Sequence, residues 1–207
     1  MGYRNFKREI KRILPTKAWD RLFWIIKGRP IPPPHVVKQW IVKKYANRFR
    51  IRIMVETGTY YGDMVESMRN HFTSIHSIEV YEPLYQNAVK RFVGHNHICL
   101  YHADSGYILP KILSNIKEPV LFWLDAHYSG GETGKGDLDT PIMKELQYIF
   151  SHPIKNHVIL IDDARSFTGQ NGYPTLSQLR EFVGERYSNS IFDVKDDIIR
   201  IHEGTID

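Results

Sequence analysis

Apolar and polar positions follow two periods along this chain, and the two alternate. Val37, Trp40, Ile41 and Tyr45 recur at helical spacing over 35–48, and the next apolar run, Arg52-Ile53-Met54-Val55-Glu56, has the length and composition of a strand. The same exchange repeats four more times. Helices are predicted near 61–70, 82–93, 106–115, 140–150 and 175–187, and strands over 74–80, 97–101, 120–125 and 158–162. Strands that alternate with helices at this spacing imply right-handed crossovers and a parallel sheet covered on both faces. The C-terminus breaks the rule. Ile191-Phe192-Asp193-Val194-Lys195 and Ile198-Ile199-Arg200-Ile201-His202 both read as strands, and only Asp196-Asp197 separates them. Two residues close a hairpin and cannot house a crossover, so the last strand runs antiparallel to its neighbour. The fold class is α/β: a Rossmann-like doubly wound sheet of five parallel strands plus a C-terminal antiparallel hairpin.

Ahead of this pattern lies a different segment. A basic helix is predicted over 4–14, with a stop at Pro15, and a second helix over 17–27; Gly28 and the run Pro30-Ile31-Pro32-Pro33-Pro34 then form an extended linker. The domain reading is therefore a basic helical extension over 1–34 and an α/β domain over 35–207. Charge sharpens the division. Residues 1–52 carry 15 Lys and Arg against Glu9 and Asp20, whereas the rest carries 13 against 21 acids, so a net +5 conceals a basic head on an acidic body. An acidic body repels phosphates, and no zinc-finger, RNA-binding or basic-zipper pattern is present, so nucleic acid is not an expected partner. In the second helix Trp19, Leu22, Phe23 and Ile26 form an apolar stripe. It either packs on the main domain or rests on anionic lipid as an interfacial helix.

With 207 residues, 42% of them apolar, the chain can build one core. A single cysteine, Cys99, excludes a disulfide framework and a multi-cysteine zinc site. No apolar run approaches a membrane span, and the N-terminus lacks a cleavable apolar segment. A cytoplasmic protein is expected, with peripheral contact at the inner face of the membrane as the reading that the basic head allows.

Ligands of an open parallel sheet bind beyond the strand C-termini, and those positions are rich in candidates. The first strand runs into Glu56-Thr57-Gly58-Thr59-Tyr60-Tyr61-Gly62. Gly58 permits a tight turn, and Gly62 lies near a helix start whose amides favour an anion. The G-x-G-x-x-G dinucleotide run is absent. Glu79 ends the second strand 21 residues beyond Gly58, placed to accept ribose hydroxyls, a feature that also fits NAD. After the third strand, Asp104-Ser105 reads equally as an N-cap and as an adenine-side contact. Asp125 ends the fourth strand, and Asp162 and Asp163 end the fifth. Carboxylates this close call for a cation, and oxygen ligands favour Mg²⁺ or another hard divalent ion. The plainer alternative is that Asp162 or Asp163 caps a loop. His127 beside Asp125 is a candidate ligand or general base. The run Gly130 to Gly136 lacks the Walker spacing and reads instead as a lid with Gly130, Gly131, Gly134 and Gly136 as hinges.

Glu56-x-Gly58, Glu79, Asp104, Asp125 and the closing hairpin together resemble class I S-adenosylmethionine (SAM)-dependent methyltransferases over about residues 35–202. More narrowly, Val55–Tyr60, Phe122–Gly131, Ile159–Arg165 and Pro32–Lys38 resemble a bacterial group related to macrocin-type sugar O-methyltransferases and cephalosporin-hydroxylase-like proteins. The resemblance implies a seven-stranded methyltransferase sheet and metal-assisted O-methylation of a saccharide or glycan hydroxyl. It implies that Glu56, Gly58 and Thr59 hold the methionine part of the cofactor, Glu79 the ribose, and Asp104 and Ser105 the adenine side. Asp125, Asp162 and Asp163 then match the metal carboxylates, with His127 or a carboxylate taking the proton. Tyr60 departs from the pattern, standing where many methyltransferases have a second glycine. The rival readings are a non-catalytic scaffold of a glycan assembly complex and a nucleotide-sugar or NAD-dependent enzyme on the same architecture.

Overall fold

The structure, a computed structural model, describes residues 16–126 and 140–204. The helix expected over 4–14, the candidate base His127 and the glycine loop from Gly130 to Gly136 lie outside the described residues. In chain order the elements are α1 (Thr16–Ile26), α2 (His35–Phe49), β1 (Ile53–Thr57), α3 (Asp63–Met68), β2 (Ser74–Glu79), α4 (Glu82–Arg91) and β3 (Ile98–His102). There follow α5 (Ser105–Leu113), β4 (Val120–Leu124), α6 (Ile142–Ser151), β5 (Val158–Ile161), a 3₁₀ turn (Ala164–Ser166), α7 (Leu176–Arg186), β6 (Ser190–Lys195) and β7 (Ile198–Glu203).

The strands form one sheet in the order β3-β2-β1-β4-β5-β7-β6. The first five are parallel, and β7 is antiparallel to both β5 and β6. The expected hairpin forms on Asp196 and Asp197, whose φ values of 55° and 61° are those of a tight turn with both central residues left-handed. Its second strand, not its first, borders β5. The strand order reverses between β1 and β4, so a crevice opens beyond Thr57 and Leu124, which are paired in register.

The central strands are apolar on both faces because helices cover both. Along β4, Leu121 and Trp123 join the core with α1–α4, whereas Val120, Phe122 and Leu124 join the core with α5–α7. Each of these side chains is essentially removed from water. Full burial of one large apolar side chain contributes about 1.5–3 kcal/mol before the entropy of ordering it, and this alternation fixes the register of the whole strand.

The α1 helix packs against the domain through Trp19 and Trp24, both buried, and the Trp24 indole N–H donates to the Pro30 carbonyl at 2.8 Å. Trp24 shares the core with Val37 and Ile41 of α2. The buried edge is therefore offset from the stripe that spacing suggests: Leu22 and Ile26 stay exposed, as does Ile25. No helix among the described residues is long and apolar enough to cross a membrane.

At the end of the sheet opposite the crevice, before β4 and β5, His152 and His157 form a buried relay. The Val120 N–H donates to His157 Nδ1 at 3.0 Å, so Nε2 carries the proton and faces His152 Nδ1 at 3.0 Å. Burial lowers the His157 pKa to about 4, which keeps that ring neutral.

Candidate functional site

Strand parity decides which candidates meet. On β1, Met54 faces the core with α2 and Val55 the core with α6, so Glu56 shares the α2 side and Thr57 the α6 side. By the same count Ser77 and Glu79 of β2 share the α2 side with Ile75, and Asp125 and Asp162 continue the lines of Trp123 and Leu160. Five polar groups thus gather on one face of the crevice.

Glu56 lies at the bottom, 1% exposed. The Ser77 hydroxyl donates to Glu56 Oε2 at 2.5 Å, and because that spends its hydrogen, Thr59 Oγ1 donates to Ser77 at 2.6 Å. Burial pushes the Glu56 carboxyl up to about 8; Asp125 and Glu79 add to the rise and the Ser77 hydrogen bond opposes it. The folded protein therefore binds a proton here that the unfolded chain, with its ordinary value of 4.5, releases. This group's contribution to stability is full below pH 4.5 and is lost as pH rises to about 8. Glu56→Gln keeps the neutral shape, so the melting temperature of the variant should gain several degrees on the native protein between pH 5 and pH 8.5. A difference that stays constant over that range would show that Glu56 is ionised throughout.

Glu79 holds the turn that follows β1. Its two oxygens accept the backbone N–H groups of Tyr60 and Tyr81, each at 2.9 Å, which leaves lone pairs for a ligand's hydroxyls. Tyr60 is itself left-handed at φ 50°, so the departure from glycine is accommodated with its amide drawn onto Glu79. Gly62 caps α3 at φ 78°, and a Cβ there would stand 2.8 Å from the Phe92 ring. The helix it opens has six residues. Backbone geometry and packing account for this glycine, rather than a strong anion site. Asp104 does what an N-cap does: its Oδ1 accepts the Gly106 N–H at 2.7 Å. Ser105 beside it is buried.

The second half of the site stands beyond β4 and β5. The Asp125 N–H donates to the Thr57 carbonyl and the Asp162 N–H to the Leu124 carbonyl, both at 3.0 Å, which extends the ladder by one residue on each strand. Asp162 Oδ1 accepts the Asp163 N–H at 2.9 Å, and Oδ2 is ion-paired to Lys38 of α2. Asp163, at φ 55°, lies with Oδ1 3.6 Å from the Lys38 ammonium and 2.8 Å from Arg165. Arg165 also pairs with Asp197 of the hairpin turn, and Asp197 accepts the Arg165 N–H at 2.9 Å. Burial, Asp125 and Asp163 push the Asp162 carboxyl up to about 7, with Lys38 opposing.

These contacts bear on the expected metal ligands Asp125, Asp162 and Asp163. A hard divalent ion needs carboxylate oxygens that converge on one point. Here Asp162 is given to Lys38, and Asp163 is divided between Lys38 and Arg165. Among the described residues no group of three His, Cys, Asp or Glu is arranged to hold an ion. The arrangement does not fit a divalent cation, because a lysine supplies the positive charge.

A small cleft lies between β4, β5 and α6, lined by Asp125, Thr140, Glu145, Asp162 and Tyr173 among apolar walls. Glu145, 1% exposed, is pushed up to about 7 by burial, with the Ser105 hydroxyl opposing. Its Oε1 and the Thr57 hydroxyl are both buried without a hydrogen-bond partner. Lys38, Ser77, Glu145 and Tyr173 are the site residues that sequence reasoning misses. A signal existed for one of them: Glu145 interrupts the apolar stripe Ile142, Leu146, Ile149 of its helix.

No family model and no curated protein matches the sequence. Solved structures do match in three dimensions. TomG from Streptomyces achromogenes, an O-methyltransferase involved in tomaymycin synthesis and solved with SAM, is similar at a TM-score of 0.62 and 13% identity, over 97% of this chain and 96% of that one. An O-methyltransferase from Bacillus cereus in complex with SAH gives 0.60 and 12%, over 96% and 97%. The SAH-bound Podospora anserina methyltransferase PaMTH1 gives 0.58 and 14%, over 99% and 98%. Identities this low speak for architecture alone, and the chain has the class I methyltransferase fold that these proteins share.

Proposed function

We propose that the protein is a SAM-dependent O-methyltransferase acting on a saccharide or glycan hydroxyl. The observation that carries this reading is the gathering of Glu56, Thr59, Ser77 and Glu79 beside the Gly58 turn, at the crevice of a methyltransferase sheet. Two buried acids with free lone pairs suit a ligand that bears an ammonium and a ribose diol. In this reading Glu56, Gly58 and Thr59 hold the methionine part, and Glu79 the ribose. Asp104 and Ser105 border the adenine, and Gly62 sets the turn that follows. When bound, SAM supplies an electrophilic methyl group.

The chain's own task is to seat the acceptor hydroxyl and receive its proton. Asp125, half-buried at the end of β4, lies within the field of both Glu56 and Asp162, and His127 is its candidate partner as base. Metal assistance, in which Asp125, Asp162 and Asp163 hold Mg²⁺, would require a divalent ion to displace the Lys38 ammonium from Asp162.

Transfer from methyl-labelled SAM tests the proposal. Nucleotide sugars, free oligosaccharides and lipid-linked glycans are offered beside a catechol. Label in a saccharide supports the reading, and label confined to the catechol would redirect it to aromatic hydroxyls.

A further inference from the structure

Lys38 stands where the acidic groups at the ends of β4 and β5 would otherwise require an ion. It arises from α2, whose Val37, Ile41 and Val42 are anchored in the core, so its backbone is fixed. The side chain crosses 124 residues of sequence to Asp162 and is itself only 15% exposed; the Asp162 side chain is 1% exposed. Asp163 and Asp125 also lie within its field. An ammonium at hydrogen-bonding distance and a metal ion at about 2.1 Å cannot hold the same carboxylate oxygen toward the same space.

We propose that Lys38 is a built-in substitute for a divalent cation: a positioning residue whose ammonium neutralises Asp162 and its neighbours and keeps metal ions out of the site. This rests on the methyltransferase reading for its purpose, but not for its test. The lysine gives the site a permanent single charge that no chelator removes. It orients Asp162 toward the α2 side of the crevice, and Arg165 does the corresponding work for Asp163 from the hairpin side.

Mn²⁺ is the probe, since its paramagnetic resonance signal is lost on binding and no turnover is needed to see it. The full-length native protein, Lys38→Met and Lys38→Arg are titrated with Mn²⁺, with thermal melts to verify that each is folded. The native protein and Lys38→Arg should leave the free-ion signal intact. Lys38→Met, with Asp162 deprived of its counter-charge, should take up one Mn²⁺ per chain at least about tenfold more tightly than the native protein, because a buried carboxylate that has lost its cation favours a hard metal ion. Adding Asp162→Asn to Lys38→Met should abolish that uptake. Stoichiometric Mn²⁺ binding by the native protein that Asp162→Asn removes would overturn the proposal, as would a folded Lys38→Met that binds none. If the native protein bound no Mn²⁺ and also transferred no methyl group, the functional reading would fail while the cation assignment stood.

Discussion

Asp162→Ala should abolish methyl transfer and destabilise the fold by about 3 kcal/mol, since removing one partner of a buried ion pair leaves the other charge uncompensated. The Asp162 carboxylate accepts from Lys38 on one oxygen and from the Asp163 N–H on the other. Deleting it strands an ammonium that is largely out of solvent and frees the amide that fixes the turn after β5. The freed Lys38 ammonium would then bear on Asp125, the proposed proton acceptor, and loss of that acid–base function costs roughly 10²–10⁴ in rate. Lys38→Met/Asp162→Ala removes both charges together, so the double variant should be more stable than the sum of the two single losses. That excess, measured by chemical denaturation of all four proteins, is the signature of direct coupling. Strict additivity would contradict the pairing.

Gly58→Ala is the second large effect. Gly58 sits at φ 85°, and a Cβ built on it would lie 2.6 Å from the Asp125 carbonyl oxygen, a backbone atom that cannot move aside alone. The variant must push the turn after β1 away from the end of β4, at the point where the strand order reverses. Gly94 supplies the control: at φ 84° it carries the same backbone demand, with nothing within 4 Å of its Cβ position. Gly94→Ala should cost about 1–2 kcal/mol, the penalty for a left-handed alanine. Gly58→Ala should cost clearly more and should weaken SAH binding at least about tenfold, or 1.4 kcal/mol. Equal losses of stability, with SAH affinity intact in both, would mean that the crevice tolerates the displacement.

Much of this was legible before the fold was seen, for identifiable reasons. The strands β1, β2, β4 and β5 end where their apolar runs meet Gly, Asp or Glu, so Glu56, Glu79, Asp125 and Asp162 were placed at the crevice by their positions alone. The Asp196-Asp197 turn dictated antiparallel strands, because two residues leave no other connection. It could not dictate that β7 rather than β6 would border β5, since turn chemistry is blind to which strand finds a neighbour. The cation was hidden for a related reason. A lysine one residue after the buried Val37 reads as solvated surface on any helical wheel, and its pairing with Asp162 depends on how α2 crosses the end of β5. The acidic cluster was visible and its counter-charge was not, so a metal was the natural inference. Glu56 shows the converse case. Its parity with Met54 puts the carboxyl on a buried face of the sheet, and the depth of that burial sets its protonation.

The central claim is that the crevice beyond β1 and β2 takes an adenosyl amino acid, and isothermal titration with S-adenosylhomocysteine tests it most directly. The account predicts one site per chain with micromolar affinity, lost or much reduced in Glu79→Ala. A folded native protein that gives no heat with this ligand, and binds NAD at the same crevice instead, would contradict it.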